Sequence, residues 1–140
     1  MNNNFAGFWI RFAAYIADAL ILFIPDYIIT EIIRSQFNPI NTDQEALVEL
    51  YALAISLLLW WVYCAGFNSS ALQGTPGKKL CSLKVVDNSG NRISFGKASL
   101  RYFSSLLSAC ILIIGYLMVI WTDKKQALHD MIAGTFVVKV

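Results

Sequence analysis

The chain has 140 residues, of which 57% are hydrophobic and only 14% charged, with a formal net charge of +2. That charged fraction lies well below the roughly 25% of ordinary soluble proteins, so the composition excludes a water-soluble globular domain. The length allows a single domain spanning residues 1–140, and so small a net charge argues against nucleic acid as a partner.

The first apolar segment covers about residues 5–29, with Trp9 near its start and Tyr27 near its end, where interfacial aromatics belong. Met1 to Asn4 carry no positive side chain, and the run is too long for a signal core and contains Arg11 and Asp18. It therefore reads as a retained membrane span rather than a cleaved signal. Pro25 is expected to bend its last turn. A polar stretch from Glu31 to Glu45 follows, with Asn38-Pro39 and Asn41 as turn signals. The second apolar segment, about residues 46–67, has no charge after Glu49 and ends in the aromatic belt Trp60, Trp61, Tyr63. Each run reaches the ~20 residues a helix needs to cross the hydrocarbon core.

Beyond Asn68 the character changes. Gly74-Thr75-Pro76-Gly77 predicts a turn, and Lys78-Lys79-Leu80 opens a short amphipathic piece. Leu83–Asp87 alternates like a strand, Asn88-Ser89-Gly90-Asn91 supplies a turn, and Arg92–Phe95 reads as a return strand. The β-branched run Thr135–Val140 is expected to pair with Leu83–Asp87, making a small sheet against the membrane face. Between these lies a third apolar segment, about residues 98–121, with Ser104, Ser105, Ser108 and Arg101 in its first part and Gly115 in its second.

Basic residues collect on the cytoplasmic side of a membrane. The stretch Glu31–Glu45 holds only Arg34, whereas residues 68–101 hold Lys78, Lys79, Lys84, Arg92, Lys97 and Arg101. The N-terminus is therefore expected inside, in the cell inner (plasma) membrane. If residues 98–121 cross fully, Lys124, Lys125 and Lys139 lie outside, and Thr135–Val140 cannot reach Leu83–Asp87. A re-entrant hairpin removes both difficulties, although ~24 residues make a helix of roughly 36 Å, enough for one crossing. The expected fold is thus an all-α integral membrane protein. It has two full transmembrane helices, a third apolar segment that is a re-entrant hairpin or a third span, and a small cytoplasmic β-hairpin or sheet.

Arg11 and Asp18 are seven residues apart and share a helix face, with Tyr15 between them. If Trp9 marks the interface, Asp18 lies ~13 Å deeper, near the bilayer centre. An aspartate there costs ~2.5–3.5 kcal/mol on insertion scales, so it must face protein, pair with a cation or stay protonated. Arg11 is about 10 Å away along the axis, so Tyr15 or Arg101 could bridge the pair. Asp18 is either an ion or proton site or a polar clasp between helices. His129-Asp130 does not make a catalytic dyad by itself, because adjacent helical side chains diverge by ~100°. Asp130 is expected to brace the turn before Ala133-Gly134, with His129 at an interface.

Gly74–Lys79 fails as a phosphate loop: Leu72 occupies the first glycine position and Lys79 follows Lys78 where Ser or Thr is required. Lys78 and Lys79 read instead as a basic pair at anionic headgroups. Asn68-Ser69-Ser70 fits a glycosylation sequon on a segment placed inside the cell. Cys64, Cys81 and Cys110 are odd in number with no Cys-x-x-Cys spacing, which argues against a disulfide framework or zinc site. With a single histidine, no nucleophile–base pair and no metal set, the sequence points to no enzyme and no cofactor.

Three ordered stretches together resemble the RDD family of bacterial membrane proteins, named for an arginine and two aspartates. Residues Ala6 to Asp18, with Arg11 and Asp18, are similar to its opening helix. Gly74-Thr75-Pro76-Gly77-Lys78-Lys79-Leu80, running on to Val85-Val86-Asp87, is similar to its central signature. Leu128 to Thr135 with Val137-Val138 is similar to its closing one, where the resemblance places the second aspartate at Asp130. It implies transport of ligands not yet defined, with sodium/proton antiport proposed for some members.

Two roles are therefore open. In the first, the chain takes part in transport of ions or small ligands as a homo-oligomer, with Arg11, Tyr15, Asp18, Arg101 and Asp130 lining a site. In the second, it is a non-enzymatic membrane scaffold or accessory subunit that docks another membrane protein through its cytoplasmic β element.

Overall fold

A computed structural model describes residues 4–37, 39–110, 117–122 and 124–140. Two long helices dominate it, α1 (Phe8–Gln36) and α2 (Thr42–Ser69). Both are long and apolar enough to cross a membrane. Both also run past the expected ends. Pro25 sits inside α1 without stopping it, and the chain turns extended only at Phe37. The Asn41 side chain caps α2, accepting the Gln44 N–H at 2.9 Å. Much of the expected polar loop is therefore helical, because Arg34 reaches Glu31 at 2.7 Å and Glu49 at 2.9 Å and ties the two helix ends together.

The outward faces of α1 and α2 stay apolar and uncovered: Leu20 is 70% exposed, Phe23 67% and Ile24 64%. A water-soluble domain rarely carries so continuous an apolar surface. Small residues, Ala14, Ala65 and Ala98, sit buried in the core where the helices come together.

The rest of the chain gathers at one end of this pair. It comprises α3 (Pro76–Leu80), β1 (Leu83–Asp87), α4 (Phe95–Cys110), a 3-10 turn (Met118–Ile120), α5 (Leu128–Ala133) and β2 (Thr135–Lys139). As expected, β1 and β2 pair antiparallel, with Val85 opposite Val137. These alternate residues point inward into a core with Leu83, Ile93 and Ala6. The return strand at Arg92–Phe95 is not formed; only a single bridge joins Val86 to Arg92. Two competing structures explain this. On β1, the Val85 N–H is already spent on the Gln73 carbonyl at 2.6 Å. Meanwhile Ser94 Oγ accepts the Lys97 N–H at 3.3 Å, starting α4 at Phe95.

Whether residues 98–121 form a hairpin or a span depends on 111–116, which lie outside the described residues. Their flanks are clear. Ala98 and Val119 line one cavity, and β2 pairs with β1.

Candidate functional site

Asp18 is buried on α1, 5% exposed, and faces the start of α3. Its Oδ1 accepts the Gly77 N–H at 2.7 Å and the Tyr63 hydroxyl at 2.8 Å. Its Oδ2 accepts the Thr75 hydroxyl at 2.5 Å. Thr75 is also the N-cap of α3 and Pro76 its first residue, so the Thr-Pro-Gly sequence is a helix start aimed at a carboxylate. Gly77 is required for the approach: a Cβ there would lie 2.3 Å from the Ala14 carbonyl oxygen and 2.7 Å from Asp18 Oδ1. Both carboxylate oxygens are thus occupied by protein donors, which is the geometry of a clasp between α1, α2 and α3.

Arg11 and Asp18 do not share a partner. Arg11 turns instead to the C-terminal part of the chain. Its Nη1 forms an ion pair with Asp130 Oδ2, its Nη2 donates to the Lys125 carbonyl at 2.6 Å, and its Nε to the Ala6 carbonyl at 3.0 Å. Asp130, fully buried in the first turn of α5, takes Arg101 on its other oxygen: Nε lies 2.8 Å and Nη2 2.6 Å from Oδ1. Oδ2 also accepts the Ala127 N–H at 3.3 Å, so Asp130 braces its own helix start as expected. Gly134, left-handed at φ 59°, ends the helix and turns the chain into β2.

Burial alone would raise the Asp130 pKa, but the charges of Arg101, His129 and Arg11 outweigh it and hold the group below the usual carboxylate range. His129 Nε2 comes within 3.4 Å of Asp130 Oδ1, closer than adjacent positions on a helix lead one to expect. Burial pushes the imidazole pKa down to about 4, a shift the Asp130 carboxylate only partly offsets. The ring is therefore neutral near pH 7.

Between α1, α2, α3, α4 and α5 lies a cavity of about 480 Å³. Arg11, Lys78 and Arg101 line it together with His129, Asn68 and Cys64, and Phe8, Phe12, Tyr15 and Tyr102 supply apolar walls. Lys78 is the main departure from expectation. It lines this cavity rather than standing with Lys79 as a headgroup pair, and its Nζ donates to Asn68 Oδ1 at 2.9 Å. Burial first, and the nearby Arg101 charge second, lower its pKa to about 7. Asn68 also donates to the Cys64 carbonyl at 2.6 Å and is only 5% exposed, so the apparent sequon is an internal strut.

Of the residues expected to form one polar cluster, Arg11, Arg101 and Asp130 meet, while Asp18 belongs to the separate clasp. Tyr15 bridges neither pair; its ring stacks on Trp60 at 5.8 Å and lines the cavity. Sequence reasoning missed Tyr63, Thr75 and Gly77 as partners of Asp18, and Lys78, Asn68 and His129 as cavity residues. The available signal was the pairing of a deep carboxylate with a threonine-capped helix start elsewhere in the chain. Among the described residues, no group of three or more His, Cys, Asp or Glu side chains is placed to hold a metal ion.

The model of the RDD family matches residues 5–134. The chain is 42% identical to the uncharacterized protein YxaI of Bacillus subtilis (strain 168), over 95% of this chain and 96% of that one. It is 29% identical to the uncharacterized protein YckC of the same organism, covering 94% of this chain and 83% of the relative. A third Bacillus subtilis relative, the uncharacterized membrane protein YteJ, is 25% identical over 99% of this chain and 83% of its own length. No solved structure matches the chain.

Proposed function

The chain belongs to the RDD family, and we propose that it is a multi-pass protein of the cell membrane whose half-open cavity takes up a small ligand, in a transport role carried out as a homo-oligomer. The cavity lined by Arg11, Lys78 and Arg101 is the observation that carries this reading. It has a volume within the roughly 300–1,000 Å³ of ordinary ligand sites and combines apolar walls with a few convergent polar groups. Two crossing helices are too few to enclose a path, so a passage would run between subunits.

Orientation follows from charge. Of 11 Lys and Arg residues, Arg34 alone lies near the α1–α2 connection, while the others sit at the end that carries the sheet. The positive-inside rule then puts that end and the N-terminus in the cytoplasm, with residues 98–121 as a re-entrant hairpin.

The cavity supports small-ligand handling better than sodium binding. Three cationic side chains line it and repel a bare cation, and the carboxylate oxygens of Asp18 and Asp130 already receive donors from Tyr63, Thr75, Gly77, Arg11 and Arg101.

Purified protein in proteoliposomes tests the transport reading. The panel is sodium, chloride, a short-chain carboxylate and a short-chain alkyl phosphate. At least one is expected to cross faster than in empty vesicles, and Lys78→Gln is expected to remove that excess while still inserting. Rates equal to empty vesicles across the panel would leave the scaffold role, with the β1–β2 sheet as docking surface.

A further inference from the structure

The cavity has an imbalance of charge and an unused donor. Three cationic side chains, Arg11, Lys78 and Arg101, line it. The nearby carboxylates are Asp130, which is shared between two of those cations, and Asp18, whose oxygens are held in the clasp. With Lys78 protonated, one positive charge is left in excess even when both acids are counted.

The donors tell the same story. Arg11 uses all three of its nitrogens on protein acceptors. Arg101 does not. It is 7% exposed and engages Asp130 through the Nε–Nη2 edge of its plane. Nη1, at the opposite side of the fork, is buried with no hydrogen-bond partner among the described residues. An unmet guanidinium donor in a buried setting costs free energy comparable to a lost charged hydrogen bond, so its retention calls for an acceptor. Lys78 adds to this, because one of its three donors goes to Asn68 Oδ1 and its remaining donors are available to the cavity.

We propose that this cavity binds an oxyanion carried on an apolar body, with Arg101 Nη1 and Lys78 Nζ as its donors and the aromatic wall around Phe8, Phe12 and Tyr102 receiving the apolar part. The inference rests on the reading of the cavity as a ligand site and names the class of ligand it takes. An anionic lipid phosphate and a soluble alkyl phosphate share this chemistry. A metal cation or a zwitterion of no net charge does not meet it. Arg101 Nη1 gives one charged donor to an oxygen of a phosphate or carboxylate, and the Lys78 ammonium serves a second.

The test is binding to the purified full chain, measured apart from transport. Two arms separate the sources: nanodiscs containing phosphatidylglycerol compared with phosphatidylcholine alone, and hexyl phosphate compared with hexanol in uncharged detergent. Thermal protection by phosphatidylglycerol, by hexyl phosphate or by both is the expected result, and the arm that responds identifies the source. Lys78→Gln is expected to weaken that binding about tenfold or more, the usual scale for one charge-assisted contact. Arg101→Lys, which keeps a cation opposite Asp130 but loses the free nitrogen, is expected to act in the same direction. Lys97→Gln, an equal change of charge at an exposed site, is expected to leave it unaltered. If Arg101→Lys does not fold, Lys78→Gln carries the comparison.

Protection equal for charged and neutral probes overturns the proposal, as does an equal loss in Lys78→Gln and Lys97→Gln. Phosphate binding without flux retains it while removing the transport role. Sodium flux without phosphate binding does the reverse.

Discussion

Asp18 and Gly77 lie against each other so closely that glycine is the only residue position 77 accepts: its N–H is 2.7 Å from Asp18 Oδ1, and a Cβ would meet backbone at 2.3 Å. The nearest of these atoms, the Ala14 carbonyl oxygen, is backbone, so relief requires α3 to move away from α1. Gly77→Ala is therefore expected to cost about 1–3 kcal/mol or more, as overpacking generally does. Asp18→Asn is expected to lose stability too, by about 1–3 kcal/mol, because an amide brings donors to face the Tyr63, Thr75 and Gly77 donors. Thermal unfolding in detergent measures both. A stable Asp18→Asn protein that had lost only transport would return Asp18 to the role of an ion site.

Asp130 holds two guanidinium groups together. Asp130→Asn leaves Arg11 and Arg101 facing each other without their shared carboxylate, and breaking a buried ion pair in this way costs roughly 3–5 kcal/mol. The expected outcome is a chain that inserts poorly or aggregates in detergent. Arg34→Gln serves as the contrast. Its partners Glu31 and Glu49 are exposed, so its loss is expected to be small. Comparable damage from both substitutions would contradict this account.

Acid is expected to destabilise the protein in two stages. His129 has its pKa lowered from 6.5 to about 4 by burial, with Arg101, Arg11 and Lys78 adding to the lowering and Asp130 opposing it. The unfolded chain takes up that proton first, so the stability is fully present above about pH 6.5 and falls as the pH drops towards 4. Asp130, held lower still, adds its own loss as the pH falls further through the carboxylate range. The melting temperature followed from pH 8 to pH 4 reads the first stage, which His129→Gln is expected to flatten, and its continuation below pH 4 reads the second. A wild-type curve without slope between those values would contradict it.

On the other side of neutrality Lys78 decides the sign. Its pKa is lowered from 10.5 to about 7 by burial and by Arg101, while Cys64, Asp18 and Asp130 pull the other way. The unfolded chain keeps the proton up to 10.5, so this group makes stability rise between about pH 7 and pH 10. A bound oxyanion favours the charged form. Its affinity is therefore expected to weaken as the pH rises past 7, and less so in Lys78→Gln. Titration at pH 6 and pH 9 of hexyl sulfonate, an oxyanion whose charge does not change over that range as that of an alkyl phosphate does, checks both halves.

The orientation is open to direct measurement. A periplasmic phosphatase fused after Val140 is expected to be inactive and a cytoplasmic fluorescent protein at the same place bright, with the reverse for an insertion at Pro39. Phosphatase activity after Val140 would mean that residues 98–121 cross the membrane.

What the sequence determined by itself was everything written in local pattern. The two long apolar runs, the strand alternation of Leu83–Asp87 and its pairing with Thr135–Lys139 depend on side-chain periodicity and hydrophobicity over a few turns. The motifs around Arg11, Gly74–Leu80 and His129-Asp130 were likewise visible, and with them the family. Their partners were not. Arg11 and Asp18, on one face of one helix, invited a local pairing, yet Asp18 is held by Thr75, 57 residues away, and Arg11 by Asp130, 119 residues away. Those choices depend on which helix ends arrive at the same place, and no spacing along the chain encodes that. Lys78 is the clearest case. Beside Lys79 in sequence it reads as a surface cation, and only the packing of α3 against α1, which brings its Nζ to Asn68 of α2, turns it inward, where desolvation changes its chemistry.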